Sequence, residues 1–504
     1  MSDKDYQKLQ TISTQARTLY GISSQLQWDQ ETYMPSGAAS IRGEQLKLLA
    51  GLIHKEKTGA KFAKALAKLI DIPSGNVLAH DLGAPQKAAL REWRRDFVRD
   101  TALPTKFVKD LAKLSSQAQL VWRDAKKDNA FNRFAPYLEK MVAMNRKAAD
   151  YLKAKDHPYD ALLDYYEPEA TAREIGTLFG KLREAIVPLL KKIKDAPQID
   201  DKPLHGEFSA ELQMKVGQKL LEKIGYDMSK GRLDLSAHPF SSASHPDDSR
   251  ITTRISPDSL VNNISTILHE AGHGLYEMGL PAKEYGSPLG EAISLGVHES
   301  QSRWWETRIG HSKAFWTYFL PIIQNEFGQY KQVSVDQAFR GVNKVTPSFI
   351  RVEADEVTYP LHVILRFELE KAMIEGSLKV RELPEAWNSK MKDFLGIIPP
   401  DNRRGCLQDV HWSMGLMGYF PTYVLGNMYA AQFFQKFAAQ HPDWETRIST
   451  GDFQFMKEWL LQNVHRYGRQ FTPHELIQHV VGKPFSAEPY IQYLTNKYTD
   501  LYKI

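Results

Sequence analysis

The chain has 504 residues, 42% of them hydrophobic and 11% aromatic, so it can bury a large core, and length alone would allow roughly two to four domains. Its 65 Lys and Arg are mixed with 60 Asp and Glu, giving a formal charge of +5, which is small for this size and argues against nucleic acid as a partner. A single cysteine, Cys406, excludes an intrachain disulfide. No run of about 18 apolar residues marks a membrane span, and the opening MSDKDYQKLQTISTQ carries charges where a secretory signal needs an apolar core, so no membrane association and a cytoplasmic location are expected.

Most of the chain repeats apolar residues at i, i+3, i+4 and i+7, which predicts an all-α protein. Trp28 and Asp29, in WDQETYMP at 28–35, should pack and cap the end of a first helix. REWRRDFVRD at 91–100 and PLLKKIKD at 188–195 read as solvated helix faces, and helices are expected through 107–125 and 138–154. Breakers such as MPSGAAS at 34–40, DHPYD at 156–160, DAPQIDDKPLHG at 195–206 and GIIPPDNRRG at 396–405 divide these helices, but none is long enough to be a flexible linker. One domain over 1–504 is the simplest organisation, with two lobes able to flank a cleft. RITTRIS at 250–256 and SFIRV at 348–352 alternate with β-branched residues and predict a small β-sheet lining that cleft.

Chemistry enters at ILHEAGHGLYEMG, 267–279. Ser256-Pro257-Asp258 is a plausible helix start, Val261, Ile264, Ile267 and Leu268 form an apolar stripe, and Gly279 with Pro281 ends it, so a helix is predicted over about 258–278. Residues four apart on a helix differ by about 40° around the axis and about 6 Å along it, so His269 and His273 can converge on one ion. A working zinc site needs three protein ligands and an open position for water. Glu277 lies about 12 Å along the axis from His269, too far to complete the set. The next segment, SPLGEAISLGVHESQSRWWETRIG, offers Glu291, Glu299 and Glu306, and spacing does not choose among them. Trp304 and Trp305 in that segment read as core behind a ligand helix, or as interface. Cys406 has no identifiable base, which argues against thiol catalysis.

HEAGH followed by HESQ at 298–301 resembles the carboxypeptidase Taq family of metallocarboxypeptidases. HPF at 238–240, DSRIT at 248–252, IRVEAD at 350–355 and GCLQDVHW at 405–412 match further family signatures in order, as do WDQETYMP at 28–35 and LLDYYEP at 162–168. The resemblance implies that Glu299 is the third ligand, that the fold is almost all helical with a deep cleft, that single C-terminal residues are released with broad specificity, and that the protein is a homodimer. Zinc suits two imidazoles and a carboxylate, with cobalt or manganese able to substitute. Zinc would acidify a water and polarise the peptide carbonyl, and Glu270, free of the metal, would be general base and then general acid.

An oxyanion donor is expected from His411, whose motif the family shares, with Tyr359, Tyr419 and Tyr423 as alternatives. Asp355 and Asp409 are candidate acceptors behind the ligand histidines. A carboxypeptidase must bind a free C-terminal carboxylate; Arg351 is the first candidate guanidinium, Arg340 and Arg250 stand behind it, and Tyr423 can add a hydrogen bond. A zinc endopeptidase or dipeptidyl carboxypeptidase on the same scaffold is the alternative. A non-catalytic helical scaffold is a further one, against which the intact Glu270 argues.

Overall fold

Helix after helix buries one apolar stripe. In the computed structural model, which describes residues 2–154 and 156–504, the helix Ala172–Asp195 buries Ile175, Phe179, Leu182, Ile186, Leu189 and Ile193, and its N-cap Thr171 accepts from the Glu174 amide at 3.2 Å. Lys191, Lys192 and Lys194 stay exposed on its other face, the solvated pattern expected for that stretch. The helices predicted at 107–125 and 138–154 are Thr105–Lys127 and Phe131–Tyr151. No described helix is long and apolar enough to cross a membrane.

The segment 91–100 departs from its expected solvated face. Glu92 and Asp96 are buried one turn apart on the inward side of the helix Ala84–Ala102, because Arg469 reaches in from the C-terminal part of the chain and binds both, at 2.8 and 2.7 Å. Two inward carboxylates are tolerable only because that guanidinium meets them.

Three strands form the one sheet found among the described residues: β1 (Gly231–Leu235), β2 (Ser241–His245) and β3 (Asp248–Thr253). The order is β1-β3-β2, with β1 parallel and β2 antiparallel to β3. The first four residues of RITTRIS lie in β3. SFIRV at 348–352 is not a strand; it runs as irregular chain into the short 3-10 turn Arg351–Glu353. The Gln408 side chain takes the place of a strand partner, accepting from the Arg351 amide at 2.9 Å and donating to the Phe349 carbonyl at 3.0 Å.

A large apolar core runs through most of the helices, and a smaller one, including Tyr6, Leu9, Phe62, Leu90 and Trp93, lies under the N-terminal helices Ser2–Thr32 and Ala39–Thr58. Trp28 is buried against Phe240 at 5.3 Å between ring centroids, and the Asp29 carboxylate pairs with Arg42 at 2.6 Å. Trp304 and Trp305 are both fully buried core residues.

Candidate metal centre

The helix Leu260–Gly279 begins at the N-cap Ser259, whose hydroxyl accepts from the Asn262 amide, and it carries HEAGH through its C-terminal half. A second helix, Leu295–Arg303, carries HESQ and crosses it closely. Gly272 permits that crossing, since a Cβ there would stand 2.4 Å from the Gln301 carbonyl oxygen. The start of the second helix is fixed by Glu167, from LLDYYEP: its buried carboxylate accepts from the Gly296 amide at 3.0 Å, Ser294 Oγ at 3.1 Å and the Tyr429 hydroxyl at 2.8 Å.

This crossing brings His269, His273 and Glu299 together, with one donor atom from each lying within 4.8 Å of the others. Glu299 Oε2 is 3.7 Å from His269 Nε2 and 3.5 Å from His273 Nε2. Donors about 2.1 Å from a tetrahedral ion sit about 3.4 Å apart, so the three residues fit zinc. They line a cleft of about 960 Å³ together with Glu270, Tyr419, Tyr423 and residues of β2 and the first helix.

The outer ring nitrogens are held as ligand orientation requires. His269 Nδ1 lies 2.7 Å from Glu306 Oε2, and that carboxylate also accepts from Arg303 at 2.7 Å. Behind His273, Nδ1 is 2.6 Å from His298 Nδ1, and His298 Nε2 is 2.9 Å from Glu277 Oε1. With His273 Nε2 kept free for an ion, its Nδ1–H donates to His298, which in turn donates to Glu277. Burial lowers the pKa of His269, but Glu299 and Glu306 overcome it and raise it to about 9, so the site favours positive charge; burial keeps His273 neutral, at about 4. Burial first, then Glu299 and Glu306, raise the Glu270 carboxyl to about 7 against the pull of His269.

Other expected residues fall elsewhere. Asp355 does not reach the ligand histidines; it is taken up by its own turn, accepting from the amides of Thr346, Val357 and Thr358. Asp409 is clamped between Arg351 at 3.0 Å and Arg366 at 2.6 Å. Glu306, and His298 with Glu277, occupy the places expected for them. Glu306, which its segment offers as a ligand, backs one instead: past Arg303 the chain continues as the π-helix Trp304–Ile309, whose wider turn no α-helical spacing foretells. Glu291 pairs with Arg469 at 3.2 Å. Arg340 is removed from the cleft; it lies on the helix Val335–Val342 and donates to the Leu501 carbonyl at 3.1 Å. Arg250, on β3, is paired with Asp248 at 2.6 Å and faces Ser242 of the cleft-lining β2.

Arg351 is buried beside the cleft, with its guanidinium 4.9 Å from the Tyr423 ring centre and Nη1 3.4 Å from the Tyr359 hydroxyl. His411 Nε2 is 3.3 Å from the Tyr423 hydroxyl, and burial lowers its pKa to about 4, so it is neutral. Gly426, on the helix Pro421–Gln440, makes room for the ligand carboxylate, because a Cβ there would lie 2.4 Å from Glu299 Cγ and 2.6 Å from Glu299 Cβ.

Two outcomes follow. Glu306→Gln, keeping shape but weakening the acceptor behind His269, should reduce metal affinity by about 10- to 100-fold, measured by competition with a chelator. Gly426→Ala should displace Glu299, costing about 1–3 kcal/mol in thermal unfolding together with metal affinity; unchanged binding would show that Glu299 can shift without leaving the ion.

A family model described as "Carboxypeptidase Taq (M32) metallopeptidase" matches residues 8–498. The chain is 41% identical over 507 residues to thermostable carboxypeptidase 1 of Thermus thermophilus, covering 99% of each. It is 37% identical to carboxypeptidase 1 of Bacillus subtilis, covering 95% of this chain and 94% of that one. The crystal structure of the M32 carboxypeptidase from Deinococcus radiodurans R1 superposes with a TM-score of 0.96 at 38% identity, over 99% of this chain and 100% of that one.

Proposed function

From the premise that the chain belongs to the carboxypeptidase Taq (M32) family, whose members are peptide-hydrolysing metallocarboxypeptidases, we propose that it releases single residues, with broad specificity, from the free C-terminus of peptides. The observation that carries this reading is the convergence of His269, His273 and Glu299 inside the cleft with Glu270 one residue from a ligand.

His269, His273 and Glu299 would hold the ion, zinc by the chemistry of the donors, with cobalt or manganese able to occupy the same set. Such an ion lowers the pKa of a bound water towards neutrality and polarises the scissile carbonyl. Glu270, raised to about 7, has the affinity to take a proton from water near neutral pH and return it to the leaving amine. Burial keeps the Tyr423 hydroxyl protonated, so it can donate to charge developing on the carbonyl oxygen, with neutral His411 steadying it. Arg351 has Nε and Nη2 on Asp409 and turns Nη1 to the tyrosines, where it can receive a terminal carboxylate. Arg250 is a second guanidinium beside the cleft wall. We read residues 1–504 as one catalytic domain and, from the family resemblance, as a homodimer; the single buried cysteine supports a reducing, cytoplasmic setting.

Mass analysis over time tests the reaction. A free-ended peptide should shorten one residue at a time from its C-terminus, lose this on chelation and regain it with zinc, while the amidated peptide resists. Internal fragments would favour the endopeptidase, and two-residue steps the dipeptidyl carboxypeptidase.

A further inference from the structure

A second cavity, of about 320 Å³, lies next to the cleft beneath the N-terminal helix. Arg17, Tyr20, Glu291, Ala292, Leu295 and His298 line both spaces, so the two adjoin. Its wall carries five cationic side chains, Arg17, Lys57, Arg95, Arg99 and Arg469, against two carboxylates, Asp96 and Glu291.

Both of those carboxylates are already engaged. Arg469 binds Asp96 and Glu291, and Arg99 shares Asp96 at 3.0 Å. Arg95 is held by Asp164 at 2.5 Å. Arg17 differs: it leans over the Tyr20 ring at 5.0 Å and, among the described residues, makes no hydrogen bond or ion pair within 4 Å. Arg99 Nε is buried without a hydrogen bond but lies 3.7 Å from Asp100, which Lys57 also approaches at 3.8 Å. Burial disfavours the Arg17 charge, and Glu291 and Glu277 nearby restore it without a hydrogen bond to either, so the guanidinium keeps its N–H donors open to a carboxylate in the cavity.

The cavity also has a definite place along a bound peptide. Arg351 takes the C-terminal carboxylate on the His269 side: its Nη1 is 3.4 Å from the Tyr359 hydroxyl, and Arg303, bound to the Glu306 behind His269, leans over the Tyr359 ring at 5.2 Å. His298 stands on the other side, its ring 4.7 Å from that of His273, and it forms part of the cavity wall. An extended peptide advances about 3.3 Å per residue, so residues upstream of the scissile bond pass this cavity in turn.

Resting on the proposed reaction, we propose that the Arg17 cavity is a specificity subsite that recognises an acidic side chain of the substrate upstream of the bond being cut. The test uses acetyl-capped peptides with neutral side chains and a free C-terminus, carrying Glu or Gln at each upstream position in turn. One position should show about fivefold higher kcat/KM for Glu, expressed in KM and shrinking at about 0.5 M NaCl. Arg17→Gln should bring that ratio to about 1, and Arg17→Glu should make Lys the preferred residue there. Equal rates for Glu and Gln at every position, or a ratio that survives Arg17→Gln, would overturn the assignment. So would an effect of added acetate or glutarate on the neutral peptide that Arg17→Gln abolishes while the peptide ratio stays at 1, since the cavity would then bind a free anion. Release of single C-terminal residues from the neutral peptide reports the reaction, and the Glu/Gln ratio reports the cavity, so the two readings fail separately.

Discussion

Glu270→Gln should lower kcat by about 10³-fold, roughly 4 kcal/mol of transition-state stabilisation, while metal content and KM change little. Glutamine keeps the shape and the cleft-facing position but cannot accept a proton. Glu270 is not one of the three converging donors, so its loss should leave the ion in place. It is buried among His269, Glu299 and Glu306, and a neutral amide is tolerated there because burial already disfavours the charge. The informative measurement is turnover at matched metal occupancy. A variant that hydrolysed peptides as fast as the parent would remove Glu270 from the mechanism and leave proton transfer to His411 or a tyrosine.

Arg351→Lys should cut kcat/KM on free-ended peptides by about 100-fold or more and leave the slow cleavage of amidated peptides unchanged, so that the preference for a free terminus collapses. Lysine preserves the positive charge but not the planar fork that engages Asp409 on one edge and the tyrosine side on the other. The conservative variant matters, because removing the charge outright would strip one partner from a buried pair, which typically costs about 3–5 kcal/mol. Asp409 would still be held by Arg366 through two hydrogen bonds, at 2.8 and 2.6 Å, so the lysine variant should fold. If thermal unfolding matched the parent and free-ended peptides were still preferred, carboxylate recognition would belong to Arg250.

The helical class was readable because burial of one face repeats every turn, and that repeat is written locally, as in Ala172–Asp195. The helix bearing HEAGH was predicted over about 258–278 and spans Leu260–Gly279 for the same reason. The strand expected at 348–352 was misread because its backbone partner is the side chain of Gln408, more than fifty residues away. The buried acids at 92 and 96 looked like solvated charge because Arg469 lies almost at the other end of the chain.

The sequence by itself determined that two histidines share one helix face, with a glutamate next to the first, since a spacing of four residues on a helix dictates direction. It also carried the ordered signatures that single out Glu299 by resemblance. Only the tertiary structure decided that Glu306 backs His269, that His298 and Glu277 back His273, that Arg340 stands away from the cleft, and that Arg17 and Arg99 line one cavity beside it. Those pairings join segments distant in the chain, and their geometry comes from how helices pack rather than from any local period.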